Sequence, residues 1–352
     1  MSEQTKKLKK NKRNAVLYKE MTMDMKRPKI LIIALLINLF LAPIGICFFI
    51  GIVIAAMNGS CSYRVLAWYL ISMVYVEATM LLFITPAITA GSVSLEKERQ
   101  TLDVLLTTRM TPWEIIKGKY GSDFILLSFM VVSTFPLLAI VFIYGGISFI
   151  QLLYLGLVLI VFIGFISCFG IFFSALTKNT ILSVILTYLT LMVYFAFTFM
   201  LPIILLWIIA GINNALYYDN DLFYWVTTKD FINGDFLIYL GTFNPIYMIF
   251  DAIGSTIGYD IEDFSVKGMT TVAELLPHMT EKNIILKLWT PISMIEMVLI
   301  SLGMLRLSAV FLNPVKGKDR TVKKRVKKAN TSVKKVENKA GTQAINIDNE
   351  VH

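Results

Sequence analysis

GSVSLEKERQTLDVLLTTRMTPWEIIKGKY, residues Gly91–Tyr120, is a charged interruption between two long apolar runs, and those runs decide the fold. Val65 to Ala90 precedes it and Ser122 to Tyr144 follows, both dominated by aliphatic and aromatic residues. A helix rises about 1.5 Å per residue and a bilayer's hydrocarbon core is about 30 Å thick, so one crossing takes about 20 mostly apolar residues. Both flanks are long enough to cross. The interruption, with Glu96, Lys97, Glu98, Arg99, Asp103, Arg109, Glu114, Lys117 and Lys119, is not apolar enough.

Working outward, four more runs of the same kind occur at Ile30 to Met57, Ile147 to Leu176, Ile181 to Ile212 and Ile284 to Leu312. The whole chain is 56% hydrophobic and 16% charged, with mean hydropathy +0.69, far from the globular average. Runs this long and continuous exclude the alternating strands of a membrane barrel, which leaves helices. The expectation is an all-α integral membrane protein with a six-span domain over 30–312. A cleavable signal peptide is not expected, because a long polar arm and then a full span open the chain.

Lysine and arginine set the sides. Residues 1–29 carry ten basic and three acidic side chains, and residues 313–352 carry eleven and four. Both termini are therefore expected in the cytosol, an arrangement that an even number of spans satisfies. Segment 91–120 then lies inside, and a large loop over 213–283, with ten carboxylates against Lys229, Lys267 and Lys282, lies outside. Phe236 to Ile257 tempts a seventh span. Gly241, Asn244-Pro245 and Asp251 interrupt it, and a seventh crossing would carry the basic tail outside, so it is read as an interfacial or re-entrant helix within the external loop.

Within Gly91–Tyr120, Leu95, Leu102, Leu105 and Leu106 recur at helical spacing, with Glu96, Glu98, Gln100 and Asp103 mostly elsewhere on the wheel. This predicts a short amphipathic helix at the membrane surface, around Glu96 to Leu106. Thr111-Pro112-Trp113-Glu114 is a helix start: Thr as N-cap, Pro at the first position where its missing N–H is not needed, and Glu closing a capping box. The helix it opens runs into the third span. Trp113 suits the headgroup level, with Lys117 and Lys119 anchoring the inner end. By charge alone, such a stretch is equally the ordinary surface helix of a cytosolic loop.

These residues together resemble the signature region of the type-2 permeases of ATP-binding-cassette (ABC) transporters. Glu96, Glu98 and Arg99 match its acidic and basic start, Thr101, Leu102, Leu105 and Leu106 its Thr-Leu core, and Pro112, Ile116, Gly118 and Lys119 its step into the third span. The close match covers about 25 residues. The resemblance implies a coupling helix that docks on a cytosolic ABC ATPase subunit, and two permease subunits, identical or different, forming the pathway. One departure is Gln100, where many relatives have Gly; by propensity alone it favours continued helix.

The chain has no G-x-x-x-x-G-K-[ST] phosphate loop, and Gly118-Lys119-Tyr120 lacks the glycine spacing and the hydroxyl that would hold Mg²⁺. The expectation is a transport subunit that is not itself an enzyme, without a cofactor of its own, with ATP and Mg bound by the partner ATPase. His278 and His352 are the only histidines, and Cys47, Cys61 and Cys168 the only cysteines, so neither a zinc site nor a disulfide framework is expected.

Charges inside spans cost roughly 2.5 to 3.5 kcal/mol on insertion scales. Glu77, near the middle of span two, is read either as a wall of the translocation path or dimer interface, or as a carboxyl hydrogen-bonded to a neighbouring helix. Glu296 in span six has the same candidate role. Thr290-Pro291 as N-cap and first helical position would place Glu296 near the outer surface and weaken that role. Arg306 is ten residues further on, about 15 Å, too far to pair with Glu296 and close enough to the inner face to snorkel.

The acidic patch Asp260, Glu262 and Asp263 is read as a solvated face, with steering of a cationic substrate as the alternative. The basic clusters Lys6 to Arg13 and Lys323 to Lys328 are expected to lie on anionic membrane lipids, and Val16 to Met25 to form a surface connecting helix. The tail 314–352 lacks aromatic interleaving, which speaks against nucleic acid, and its composition predicts disorder. The expected function is thus the permease subunit of an ABC exporter in the cell membrane. The competing class is an ATP-independent scaffold or secondary transporter; no internal repeat accompanies Pro43, Pro86 and Pro202. The transported substrate cannot be read from these residues.

Overall fold

The computed structural model describes residues 28–57, 63–102, 111–143, 148–217, 239–257 and 288–312. Most of the N-terminal arm, the tail 314–352, Leu105, Leu106, Cys61, His278 and the patch Asp260, Glu262 and Asp263 lie outside the described residues.

Among the described residues, six helices are long and apolar enough to cross a membrane. They are α1 (Pro28–Met57), α2 (Tyr63–Thr89), α4 (Pro112–Ile143), α5 (Phe149–Leu176), α6 (Thr180–Tyr217) and α8 (Trp289–Phe311). Between them, among the described residues, lie the short helices α3 (Ser94–Glu98) and α7 (Pro245–Ile257), the latter preceded by a 3-10 turn over Tyr239–Phe243. Among the described residues there is no strand, as an all-α membrane protein requires.

Span four, α5, is the axis. Its most apolar stretch is 78% buried, against 11–39% for the other five, and α2, α4, α6, α7 and α8 all pack on it. A helix apolar on every side is made for such a position. In lipid no hydrophobic gain distinguishes a neighbouring helix from an acyl chain, so close approach has to come from small residues. Gly170 supplies it: a Cβ there would lie 1.9 Å from Thr89 Oγ1 and 3.1 Å from the backbone nitrogen of Ala90. Only hydrogen at that position lets the end of span two seat against span four.

Helix starts follow local chemistry. Thr111 N–H donates to Glu114 Oε2 (3.0 Å) and Glu114 N–H to Thr111 Oγ1 (3.3 Å), the predicted capping box. From it α4, beginning at Pro112, runs unbroken into the third span, as the capping box implies. Ser148 and Gln151 form a second such box at the head of α5.

Asn244-Pro245 ends the temptation of a seventh span. Asn244 Oδ1 accepts the Ile246 N–H (2.9 Å), so the asparagine starts a new helix instead of continuing the turn before it. That helix, α7, has 13 residues and a length of about 20 Å, too short to cross. Thr290-Pro291 does not begin span six as the cap reading had it. The helix begins at Trp289, and Thr290, its second residue, donates both N–H (3.2 Å) and hydroxyl (2.6 Å) to Asp251 Oδ2 of α7. An ionisable acceptor from another element takes the hydrogen bonds that a local cap would have made.

Candidate functional site: the junction after span two

The turn at Ala90 to Val93 leads from α2 into α3, and every element that meets there is held by a side chain from elsewhere in the chain. Val93 N–H and Ser94 N–H, orphan donors at the head of α3, both donate to Ser174 Oγ of α5 (2.8 Å each). Lys97 Nζ returns the exchange at the far end of α5, donating to the carbonyls of Ala175 and of Thr177 (3.2 Å). An ammonium group there also meets the negative end of the helix dipole.

Glu98 Oε2 accepts the hydroxyl (2.7 Å) and N–H (3.3 Å) of Thr180, the first residue of span five. Glu96 Oε1 pairs with Lys119 Nζ of α4 at 2.7 Å, and the lysine side chain is only 5% exposed against 29% for the glutamate. Ser92 donates to Asp123, also on α4. A small apolar cluster lies beneath these contacts: Val93 and Leu102 from the junction, Ile115 and Ile116 from α4, Cys168, Ile171 and Ala175 from α5, and Leu305 and Leu312 from α8. The junction is thereby fastened to spans three, four, five and six.

The predicted helix from Glu96 to Leu106 is interrupted at Arg99–Gln100, and helical conformation resumes at Thr101 and Leu102, the last described residues before 111. Helix α3 covers Ser94–Glu98, and the chain then turns before the helical residues Thr101 and Leu102, with Gln100 at φ 57°, the left-handed region that favours glycine. Gln100 N–H bonds to the Lys97 carbonyl (3.1 Å) and the Thr101 hydroxyl to that of Glu96 (3.2 Å), which satisfies the carbonyls a helix end leaves free. Gln100 therefore does not extend the helix, and the departure from Gly is a locally strained one.

The junction brings Glu96, Glu98, Arg99, Thr101 and Leu102 into two consecutive turns, and Leu102 shares its apolar cluster with Ile115 and Ile116 just after Pro112. Arg99, Gln100 and Thr101 are exposed, as is Leu95 at 41%. Electrostatics follow the contacts. The Thr180 hydroxyl and amide hold the Glu98 carboxyl below the usual glutamate range, and Thr111 does the same for Glu114. Burial, and then Lys178, push the Lys97 ammonium down to about 8.

Reading the sequence did not find the partners Ser174, Thr180 and Lys97. Thr177-Lys178-Asn179-Thr180, a polar break between two apolar runs, is the signal that marks where the junction would be met.

Glu77 and Glu296 belong elsewhere. Glu77 is 1% exposed and accepts the Thr134 hydroxyl of α4 (2.6 Å), the hydrogen-bonded interior arrangement left open beside a pathway wall. Glu296 is half-buried on α8 with Oε2 unpartnered. Arg306 is exposed. Among the described residues no group of three His, Cys, Asp or Glu side chains converges as a metal site would need.

The family model for ABC-2 family transporter protein matches residues 63–313, from the start of span two to the end of span six. The chain belongs to that family. It is an ABC-2 permease, the membrane subunit of an ABC-type transporter, whose partner is an ATP-binding subunit. The match includes the whole junction and leaves α1 outside. No curated protein matches the chain.

Proposed function

We propose that this permease works in an exporter, and that the junction after span two is where an ABC ATPase on a separate chain drives it. The observation that carries this reading is the division of labour among the charged residues. Glu96, Lys97 and Glu98 hold spans three, four and five, and Arg99, Gln100, Thr101 and Leu95, like Glu98 itself, are exposed beside them. A force applied to the exposed side passes through short polar contacts into several helix ends at once.

In this reading Glu96 and Glu98 are positioning residues rather than direct docking contacts, and the exposed Arg99 is the charge offered to the partner. Leu102 and Pro112 fix the frame, and the resemblance of the motif extends the coupling role to Leu105 and Leu106. ATP and Mg bind on the ATPase, and its closure tilts the fastened span ends around a pathway formed with a second permease. Basic residues at both termini favour a cytosolic placement of the junction in the cell membrane, with the arm 1–29 and tail 314–352 against anionic lipids.

Combined Glu98→Ala and Arg99→Ala substitution tests the reading. Substrate-linked ATP hydrolysis by the assembled complex should fall at least ten-fold, with the permease still inserted in the membrane. Undiminished association and undiminished coupled hydrolysis would remove the junction from the mechanism.

A further inference from the structure

At the junction end of the bundle an arginine stands in the middle of an apolar outer surface. Arg306 is exposed on α8, and the same face carries the exposed Leu299, Leu302 and Val310. A charge on a lipid-facing helix side is costly unless it reaches head groups or a counter-ion. Arg306 is five residues, about 7.5 Å, from the helix end at Phe311, and among the described residues no salt bridge reaches it.

Span three supplies a second cation at the same depth. The Cys168 thiol of α5 meets both the Tyr120 hydroxyl of α4 and the Ser301 hydroxyl of α8, which sets those two residues level. From that level α4 starts and α8 finishes at the same end of the bundle, where Ile115, Ile116, Leu305 and Leu312 share one cluster. Lys117 lies about 4.5 Å nearer that end than Tyr120, and Arg306 about 7.5 Å nearer than Ser301, so their depths differ by about 3 Å. Ala309, packed against the cluster, marks an edge of α8 turned toward α4, and Arg306 lies on that same side of Leu305, about 100° round the helix against about 40° for Ala309.

On α4, Lys117 is exposed and holds its ammonium over the Trp113 indole, 5.1 Å from the ring centroid, while Trp113 itself packs against the cluster. An indole at a span end belongs at the head-group level. Glu114, three residues before Lys117, is committed to the Thr111 cap. The groove between spans three and six is therefore rimmed by two exposed cations at one level, with an aromatic ring beside them.

We propose that this groove binds one anionic phospholipid. The Arg306 guanidinium donates its forked N–H pair to the phosphate oxygens, Lys117 adds the second positive charge, Trp113 lies beside the glycerol, and an acyl chain runs along Leu302 and Leu299. A second permease does not fit this face, because a two-fold contact about the membrane normal would set Arg306 against Arg306. The site goes beyond the coupling reading and stands whether or not the junction docks an ATPase.

Native mass spectrometry of the full-length permease, titrated with phosphatidylglycerol or with phosphatidylcholine of the same chains, tests it. One saturable phosphatidylglycerol is expected, held at least five-fold more tightly than phosphatidylcholine and not displaced by soluble glycerol phosphate. Arg306→Gln should abolish that preference, Lys117→Gln should reduce it several-fold, and Arg306→Lys should keep part of it. Lys323→Gln combined with Lys324→Gln, which lowers the charge of the tail, should leave it unchanged. Equal retention of the two lipids, displacement by glycerol phosphate, an undiminished preference in Arg306→Gln, or loss of the preference in the tail variant would each overturn the site.

Discussion

Glu98 accepts two hydrogen bonds from Thr180, through the hydroxyl at 2.7 Å and the backbone N–H at 3.3 Å, and so caps span five with a side chain from the junction 82 residues earlier. Because one carboxylate serves both groups, Glu98→Ala and Thr180→Ala should each raise deuterium uptake over 178–183 several-fold, and the double variant no further. Additive effects would mean the two residues act independently.

The same contact has a pH signature. Glu98 is held below its ordinary range in the folded protein, so its contribution is complete above the unfolded carboxyl value and is lost as pH falls through the lower folded one. Protection of the Thr180 amide should therefore persist at pH values where an ordinary glutamate is already half protonated. Exchange measured across pH 3 to about 6 checks this.

Lys119 is nearly buried and Glu96 is its partner at 2.7 Å. Removing the carboxylate by Glu96→Ala takes the 2.7 Å salt-bridge partner from a nearly buried cation that keeps other contacts, which costs up to about 3 kcal/mol because Glu96 also keeps some contact with solvent. Lys119→Met in the Glu96→Gln background should recover most of the loss in a thermal-unfolding assay in detergent.

How much of this was legible in the sequence differs between backbone and side chains. Six spans, the Thr111 capping box and the break at Asn244-Pro245 follow from apolar length and helix-end chemistry, which are local. That span four is the axis is not local: several spans are continuously apolar, and only contacts such as Gly170 against Thr89 distinguish the buried one. The junction's motif residues were visible, but the functions of Glu96 and Glu98 as intramolecular ties depend on Lys119 and Thr180, 23 and 82 residues away. Helix propensity misled at Gln100, where the need to turn the chain overrides preference for helix.

Gln100 therefore offers a stabilising substitution. Its φ of 57° disfavours any side chain, and Gln100→Gly should raise stability by about 0.5 to 1 kcal/mol, while the β-branched Gln100→Val lowers it. Thermal unfolding followed by intrinsic fluorescence reads both signs.

Gly170→Ala should be among the most damaging conservative changes in the chain. Its methyl would meet Thr89 Oγ1 at 1.9 Å and Thr89 Cβ at 2.8 Å, forcing spans two and four apart at the junction, at a cost on the order of 1 to 3 kcal/mol. Thr89→Ala relieves the first clash and not the second, so the double variant should recover stability only in part.

The central claim is that the exposed side of the junction touches a separate ATPase. A photo-crosslinking residue at Arg99, compared in living cells with one at Ile150, which is 78% exposed at the opposite end of span four, tests it directly. The account predicts that position 99 captures a protein carrying an ATP-binding phosphate loop and that position 150 does not. Capture of no such protein at position 99, or equal capture at both positions, would contradict it.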